Sequence, residues 1–263
     1  MPITSTPLSK RGRATGASWV VADETLLADL LARISLGQAH HALAVLEGVL
    51  GTPLRPSPSA ADNAIEMLTV KPGVNPWHRD GWVFQCISWI VASIDHPSSI
   101  LKPPQMIFAL KGFDGVRIDL DAGSQFVERV VIFEDKATKN PVSVISGKVW
   151  PELAKFENGD YDTVLETDLV ALLATRPDLD RDAAIKTVIW DKRNRSYRVA
   201  ITADKSHTSN AGFAELFKGY EKVVVGKNHR RGAYIFVTND VRGWISHISN
   251  LAIVRVHDLT KDK

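Results

Sequence analysis

The stretch LKGFDGVRIDLDAGSQFVERVVIFEDKAT, residues 110–138, holds two β patterns separated by a turn. In its first half Val116, Ile118 and Leu120 alternate with polar residues, the period of a strand with one buried face. Gly123 marks the turn. In its second half Val130, Val131, Ile132 and Phe133 form a nearly continuous apolar run, the pattern of a strand buried on both faces, and Glu134, Asp135 and Lys136 follow at once. An antiparallel hairpin closed around residues 121–125 sets the start of the first strand beside the end of the second, so Asp114 and Glu134 share one rim of a sheet. Glu134 and Lys136, two apart, project from the same face, and Asp135 points away.

Outward from this hairpin, residues 82–94 read as a core-packing helix, with Val83, Phe84, Ile87, Ile90, Val91 and Ile94 on one face and Gln85, Ser88 and Ala92 largely on the other. QMIFAL, residues 105–110, reads as a further strand, completing a three-stranded meander. Helices are expected from Pro151 and over 163–174. TVIW (187–190) and YRVAITA (197–203) flank the polar DKRNRS and predict a strand pair with a basic tip. Helix over 211–220, strand over 233–237, helix over 241–249 and a last strand over 252–256 complete the reading. Upstream, Asp23 is a plausible N-cap for a helix carrying Leu26, Leu27, Leu30, Leu31 and Ile34, and a short helix follows over 38–49. Residues 1–18, basic and hydroxyl-rich with no acid, read as a disordered tail. The expected organisation is this tail, a helical segment over 19–60, and a mixed α/β layer domain over 61–263 with a C-terminal extension.

With 263 residues and 44% hydrophobic content, the chain is long enough for a substantial core. A formal charge of +2 excludes an acidic disordered chain and a histone-like polycation. The single cysteine, Cys86, excludes an internal disulfide and a multi-cysteine zinc cage, and no apolar run is long enough to span a membrane. A reducing, cytoplasmic setting is the expectation. Charge divides along the chain: nine acids face three bases between Glu152 and Asp182, while Lys192, Arg193, Arg195 and Arg198 form one basic cluster and Lys227, Arg230 and Arg231 another. A basic hairpin and a basic loop suit a polyphosphate backbone, and they equally suit solvated loop tips.

Two carboxylates on one rim supply the hard oxygen ligands Mg²⁺ prefers, and a neighbouring ammonium can hold a water while offsetting charge on a phosphate oxygen. Asp114 followed by Glu134-x-Lys136 resembles the signature of the PD-(D/E)xK nuclease superfamily, whose restriction-endonuclease-like core runs helix, three-stranded meander, helix and strand. The resemblance covers residues 77–200, with the predicted elements in the same order. It implies a Mg²⁺-dependent nuclease, with Mn²⁺ able to substitute, that cleaves phosphodiester bonds of nucleic acid, DNA being the expected form. Asp114 and Glu134 would be metal ligands, the main-chain carbonyl of Asp135 would complete the set, and Lys136 would orient the attacking water. In several branches a polar residue of the first helix also reaches the metal; Gln85 is the candidate, with Asp80 and Glu66 as fallbacks. No proline precedes Asp114, a departure from the full signature, and Asp119 or Asp121 would substitute if the strand start were displaced.

The resemblance also implies a bacterial defence or mobile-element setting in which a separate motor or sensor protein works with the nuclease. The alternative reading is a catalytically inactive adaptor or nucleic-acid-binding subunit of the same fold, in which Arg193 and Arg195 would matter more than Glu134. An ExK pair on an exposed strand is often only a surface ion pair. Trp77-His78 reads as a packing or capping element, and Ser206-His207 as a polar loop without an activated serine partner. Trp82 and Trp89, seven apart on one helix edge, read as core or interface residues.

Overall fold

The apolar run of residues 130–133 lies inside a mixed sheet covered on both faces by helices, in a computed structural model that describes residues 1–10, 14–49, 55–107 and 112–261. The chain begins with strands β1 (Ile3–Lys10) and β2 (Ala14–Val21), then helices α1 (Glu24–Ser35), α2 (Ala39–Leu46), α3 (Pro58–Leu68) and α4 (Trp77–Asp95). A meander follows: β3 (Ile100–Leu101), β4 (Gly115–Leu120) and β5 (Val127–Lys136). After it come α5 (Pro141–Val144), a π-helical turn at Ile145–Val149, α6 (Trp150–Asn158), α7 (Asp162–Leu173) and α8 (Arg181–Ile185), the last continuing into a second π turn at Lys186–Trp190. Strand β6 (Arg195–Ala203), helices α9 (Asn210–Leu216) and α10 (Tyr220–Val223), strand β7 (Arg231–Val237) and helix α11 (Val241–Thr260) complete the fold.

Among the described residues seven strands form one sheet, in the order β1-β2-β7-β6-β5-β4-β3. β4 is antiparallel to β3 and β5, whereas β5, β6, β7 and β2 run parallel. On one face, α1, α3, α4 and α11 pack over Trp19, Ala200 and Phe236; on the other, the helices after β5 pack over Val116, Ile118, Val130, Ile132, Val199, Ile201, Ala233 and Ile235. Helix α4 is buried nearly all round, which its apolar composition demands. Its Ala92 packs on Val131 and Phe133, so the Gln85–Ser88–Ala92 line is the one that meets the meander. Asp23 caps α1 by accepting from the Leu26 amide.

Four sequence expectations change. Residues 1–18 are not a disordered tail: β1 and β2 carry most of them, and Ile3, Ala17 and Trp19 are buried in the core that α1 shares with α4 and α11. The threonines that seemed to oppose order suit a strand. Residues 105–107 are not strand; the third strand of the meander is the two-residue β3, and residues 108–110 lie outside the described residues. The 187–190 segment is helical rather than half of a hairpin, because Ala184 and Val188 share one buried stripe that continues α8. Residues 252–256 are the body of α11: Ile245, Ile248, Ser249, Ala252 and Val256 are buried at helical spacing, which prevails over their β-branched composition.

Gly16 sits opposite Ala233 in the parallel pairing of β2 with β7, and a methyl group there would lie 1.6 Å from the Ala233 carbonyl oxygen. Gly16→Ala is expected to lower the urea midpoint by an amount equivalent to at least ~2 kcal/mol. An unchanged midpoint would mean that the N-terminal strands are not held to the sheet as described.

Candidate active site

β5 ends in Glu134, Asp135 and Lys136, and β4 begins one residue after Asp114, with Gly115 opposite Phe133. Antiparallel pairing therefore brings Asp114 to the end of β5. Asp114 Oδ2 accepts a hydrogen bond from the Asp135 amide at 2.8 Å, and its Oδ1 accepts from Gln85 Nε2 at 2.7 Å. The carboxylate is thus fixed between the sheet and α4.

Lys136 Nζ is the centre of the group. It lies 2.6 Å from Glu134 Oε1 and 3.2 Å from Asp114 Oδ2, and it donates to the main-chain carbonyl of Asp135 at 3.3 Å. Three oxygens, two from carboxylates and one from the backbone, converge on one point. Glu134 is only 5% exposed and Asp135 4%. On the opposite face of β5, Asp135 Oδ1 accepts from Ser88 Oγ at 2.8 Å, and Ser88 in turn accepts from Arg198 at both its hydroxyl (2.9 Å) and its carbonyl (3.1 Å). Arg198, on β6, is caged by the rings of Trp19, Phe133 and Tyr234 at 4.4–5.0 Å.

Burial, reinforced by the charge of Asp114, pushes the Glu134 carboxyl up to about 8 despite Lys136. Burial likewise raises Asp135 to about 7, against the pull of Arg198. For Lys136 burial works downward, but the attraction of Asp114 and Glu134 prevails and the ammonium is held more firmly than usual. Asp114, Asp135 and Lys136 line a cleft of about 250 Å³ together with Trp77, His78, Gly81, Trp82 and Gln85 of α4 and Gln105 and Ile107. Among the described residues no group of three or more His, Cys, Asp or Glu side chains is placed to hold a metal ion, and the oxygens that meet Lys136 Nζ are those of two carboxylates and a carbonyl. That all-oxygen set fits Mg²⁺, which commonly takes one or two protein carboxylates and leaves its other positions to water and phosphate.

The chain matches no known family model, no curated protein and no solved structure.

Asp114, Glu134, Asp135, Lys136 and Gln85 are brought together; the fallbacks are not. Asp80 is buried between Arg79 and Arg242, and Glu66 pairs with Lys71 on the surface. Asp119 is held by Arg117, Arg129 and Ser99, and Asp121 accepts amides of the β4–β5 turn.

The basic cluster is a correction. Arg195 is 1% exposed and holds the Val188 carbonyl at the end of the second π turn together with Asp162. Buried Arg230 bonds the carbonyls of Arg195, Val225 and Lys192 and the Glu157 carboxylate, and Arg231 bonds those of Val224 and Gly226. Arg195, Arg230 and Arg231 thus hold turn and loop carbonyls inside the fold, whereas Arg198 in its ring cage holds Ser88 in the middle of α4. Lys192 donates to the Glu157 carbonyl, and exposed Arg193 pairs with Asp191. Lys227 is exposed. Sequence reading missed Ser88 as a contact of the site, although its place three residues from Gln85 on the polar line of α4 was the available signal.

A carboxyl whose pKa rises on folding contributes stability that is complete below its unfolded value and lost as pH climbs through the folded one. In buffer without divalent ions, the melting temperature is therefore expected to fall between about pH 5 and pH 8.5, and Glu134→Gln to flatten the upper part of that slope. A variant slope equal to the native one would remove Glu134 from this role.

Proposed function

We propose that this chain is a Mg²⁺-dependent nuclease that hydrolyses phosphodiester bonds of nucleic acid, DNA in the first instance. One observation carries the reading: Asp114 Oδ2, Glu134 Oε1 and the Asp135 carbonyl converge within 3.3 Å of a single point at the edge of a cleft. The order α4, antiparallel meander, helices, parallel β6 supports it, since a PD-(D/E)xK core would run the same way. Mn²⁺ would serve in place of Mg²⁺.

Asp114, Glu134 and the Asp135 carbonyl would hold the cation. A bound Mg²⁺ polarises a phosphoryl oxygen and makes a water more acidic at neutral pH. Lys136 now supplies the positive charge at that point. It is the last residue of β5 and partly exposed, so its side chain can turn into the cleft and hold the attacking water by hydrogen bond. Gln85 and the Asp135 amide keep Asp114 aimed at the cation. In the reaction the water oxygen bonds to phosphorus, one P–O bond to a sugar breaks, and the departing oxygen takes a proton, leaving a hydroxyl end and a phosphate end. Of the two arginines that the non-catalytic adaptor reading singles out, Arg195 is buried and Arg193 is exposed and paired with Asp191.

Incubation with plasmid and linear substrates in Mg²⁺ or Mn²⁺ tests this. Lys136→Ala and Glu134→Gln are each expected to lower cleavage by about 10²-fold or more while the far-ultraviolet circular dichroism spectrum stays native. Folded native protein that neither binds Mn²⁺ nor cuts any substrate would overturn the hydrolytic reading.

A further inference from the structure

The cleft beside Asp114 and Lys136 has features that metal binding and hydrolysis leave unexplained. Trp77, in the first turn of α4, lines it yet is 66% exposed, and Ile107, also in the lining, is 66% exposed too. Large apolar side chains left in water beside a polar site mark a surface that awaits an apolar face. Trp82 Nε1 donates to the Gln105 carbonyl at 2.7 Å, tying the 105–107 segment to α4. Gly81 of α4 also lines the cleft. A Cβ built there meets no atom within 4 Å, so neighbouring packing does not require the glycine. A glycine inside a 19-residue helix costs about 1 kcal/mol relative to alanine, and here it leaves the cleft open.

The cleft's lining selects its occupant. An exposed indole receives a flat π face best, and an unpaired base offers one where a duplex keeps its bases stacked on one another, while Lys136 in the same lining can meet a phosphate.

Resting on the nuclease reading of the same cleft, we infer that the substrate is presented as a single unpaired nucleotide, its base stacked on Trp77 in the cleft that Ile107 also lines and its phosphate toward Asp114 and Lys136. The substrate class is therefore single-stranded nucleic acid or a frayed or flapped end, taken with little base preference because every base offers a π face. Trp77 acts here as a substrate-binding residue.

The test is fluorescence anisotropy with a fluorescein-labelled oligothymidylate and a labelled blunt duplex in Ca²⁺ buffer, on the native chain, Trp77→Ala, Trp77→Phe and Gly81→Leu. The native chain should prefer the oligothymidylate. Trp77→Ala and Gly81→Leu should each weaken that binding about tenfold, Trp77→Phe should retain most of it, and duplex binding should not change. Because Trp77 is exposed and Gly81 faces open space, the variants should melt at or near the native temperature. Equal affinity of Trp77→Ala and native protein for the oligothymidylate, or native preference for the duplex, overturns the inference. Parallel incubations with Mg²⁺ separate the two readings. Trp77-dependent strand binding without cleavage supports this inference and overturns hydrolysis; duplex cleavage indifferent to Trp77→Ala does the reverse.

Discussion

The ammonium of Lys136, shared by Asp114, Glu134 and the Asp135 carbonyl, is the contact around which the rest of the sheet edge is arranged. Two carboxylates brought to the end of one strand repel each other, and burial of Glu134 makes its charge costly. A cation between them offsets that repulsion in part, Glu134 still being pushed up to about 8. The lysine supplies that cation from the same strand, two residues beyond Glu134 on the same face, so the strand period itself delivers the counter-charge. Lys136 lines the cleft and meets all three oxygens, so this one side chain holds the rim together.

The opposite face of β5 has a separate balance. Asp135 Oδ2 finds no hydrogen-bond partner among the described residues, and the opposing positive charge is Arg198, linked to Asp135 through Ser88. A buried guanidinium stacked among three rings cannot relocate without opening the core, so Ser88 and Asp135 are held rigidly, and with them the amide that fixes Asp114. Removing one member of such a buried charge pair typically costs about 3–5 kcal/mol, because the other charge stays behind uncompensated. Thr202 ties the ends of β5 and β6 further by accepting from the Thr138 amide and donating to the Thr138 carbonyl. Positional accuracy at the rim thus derives from the core behind it.

The hairpin and its charged end were legible because strand period and turn chemistry are local: alternation at Val116, Ile118 and Leu120 and the turn at Gly123 set which residues share a rim. Gln85 was legible for a similar reason, since helical spacing separated it from the apolar face. The arginines were not. Charge runs at 192–198 and 227–231 read as a basic surface for a polyphosphate backbone or as solvated tips, yet carbonyls of the second π turn and of the loop before β7 turn inward and need donors that reach far and bond several acceptors at once. That demand arises only when helices pack over the sheet, so no local pattern announces it. The misplaced strands have the same origin: at Val188 and at Ala252 to Val256, β-branched composition competed with helical spacing of the buried positions, and tertiary burial decided.

The location of the site follows from topology more than from any one side chain. β4 and β5 are antiparallel, whereas β5, β6 and β7 are parallel, so β5 is where the sheet changes direction. The chain leaves β5 toward the helices that lead to β6, while its antiparallel neighbour β4 begins at that same end. The start of one strand and the finish of the next thereby open on one crevice, the place where open α/β sheets present ligand sites. Within β5 the apolar residues stop at Phe133, and the polar ones begin where this crevice admits water. Burial at Glu134 and partial exposure at Lys136 mark the two sides of that boundary, and the chemistry proposed for the chain depends on their standing only two residues apart.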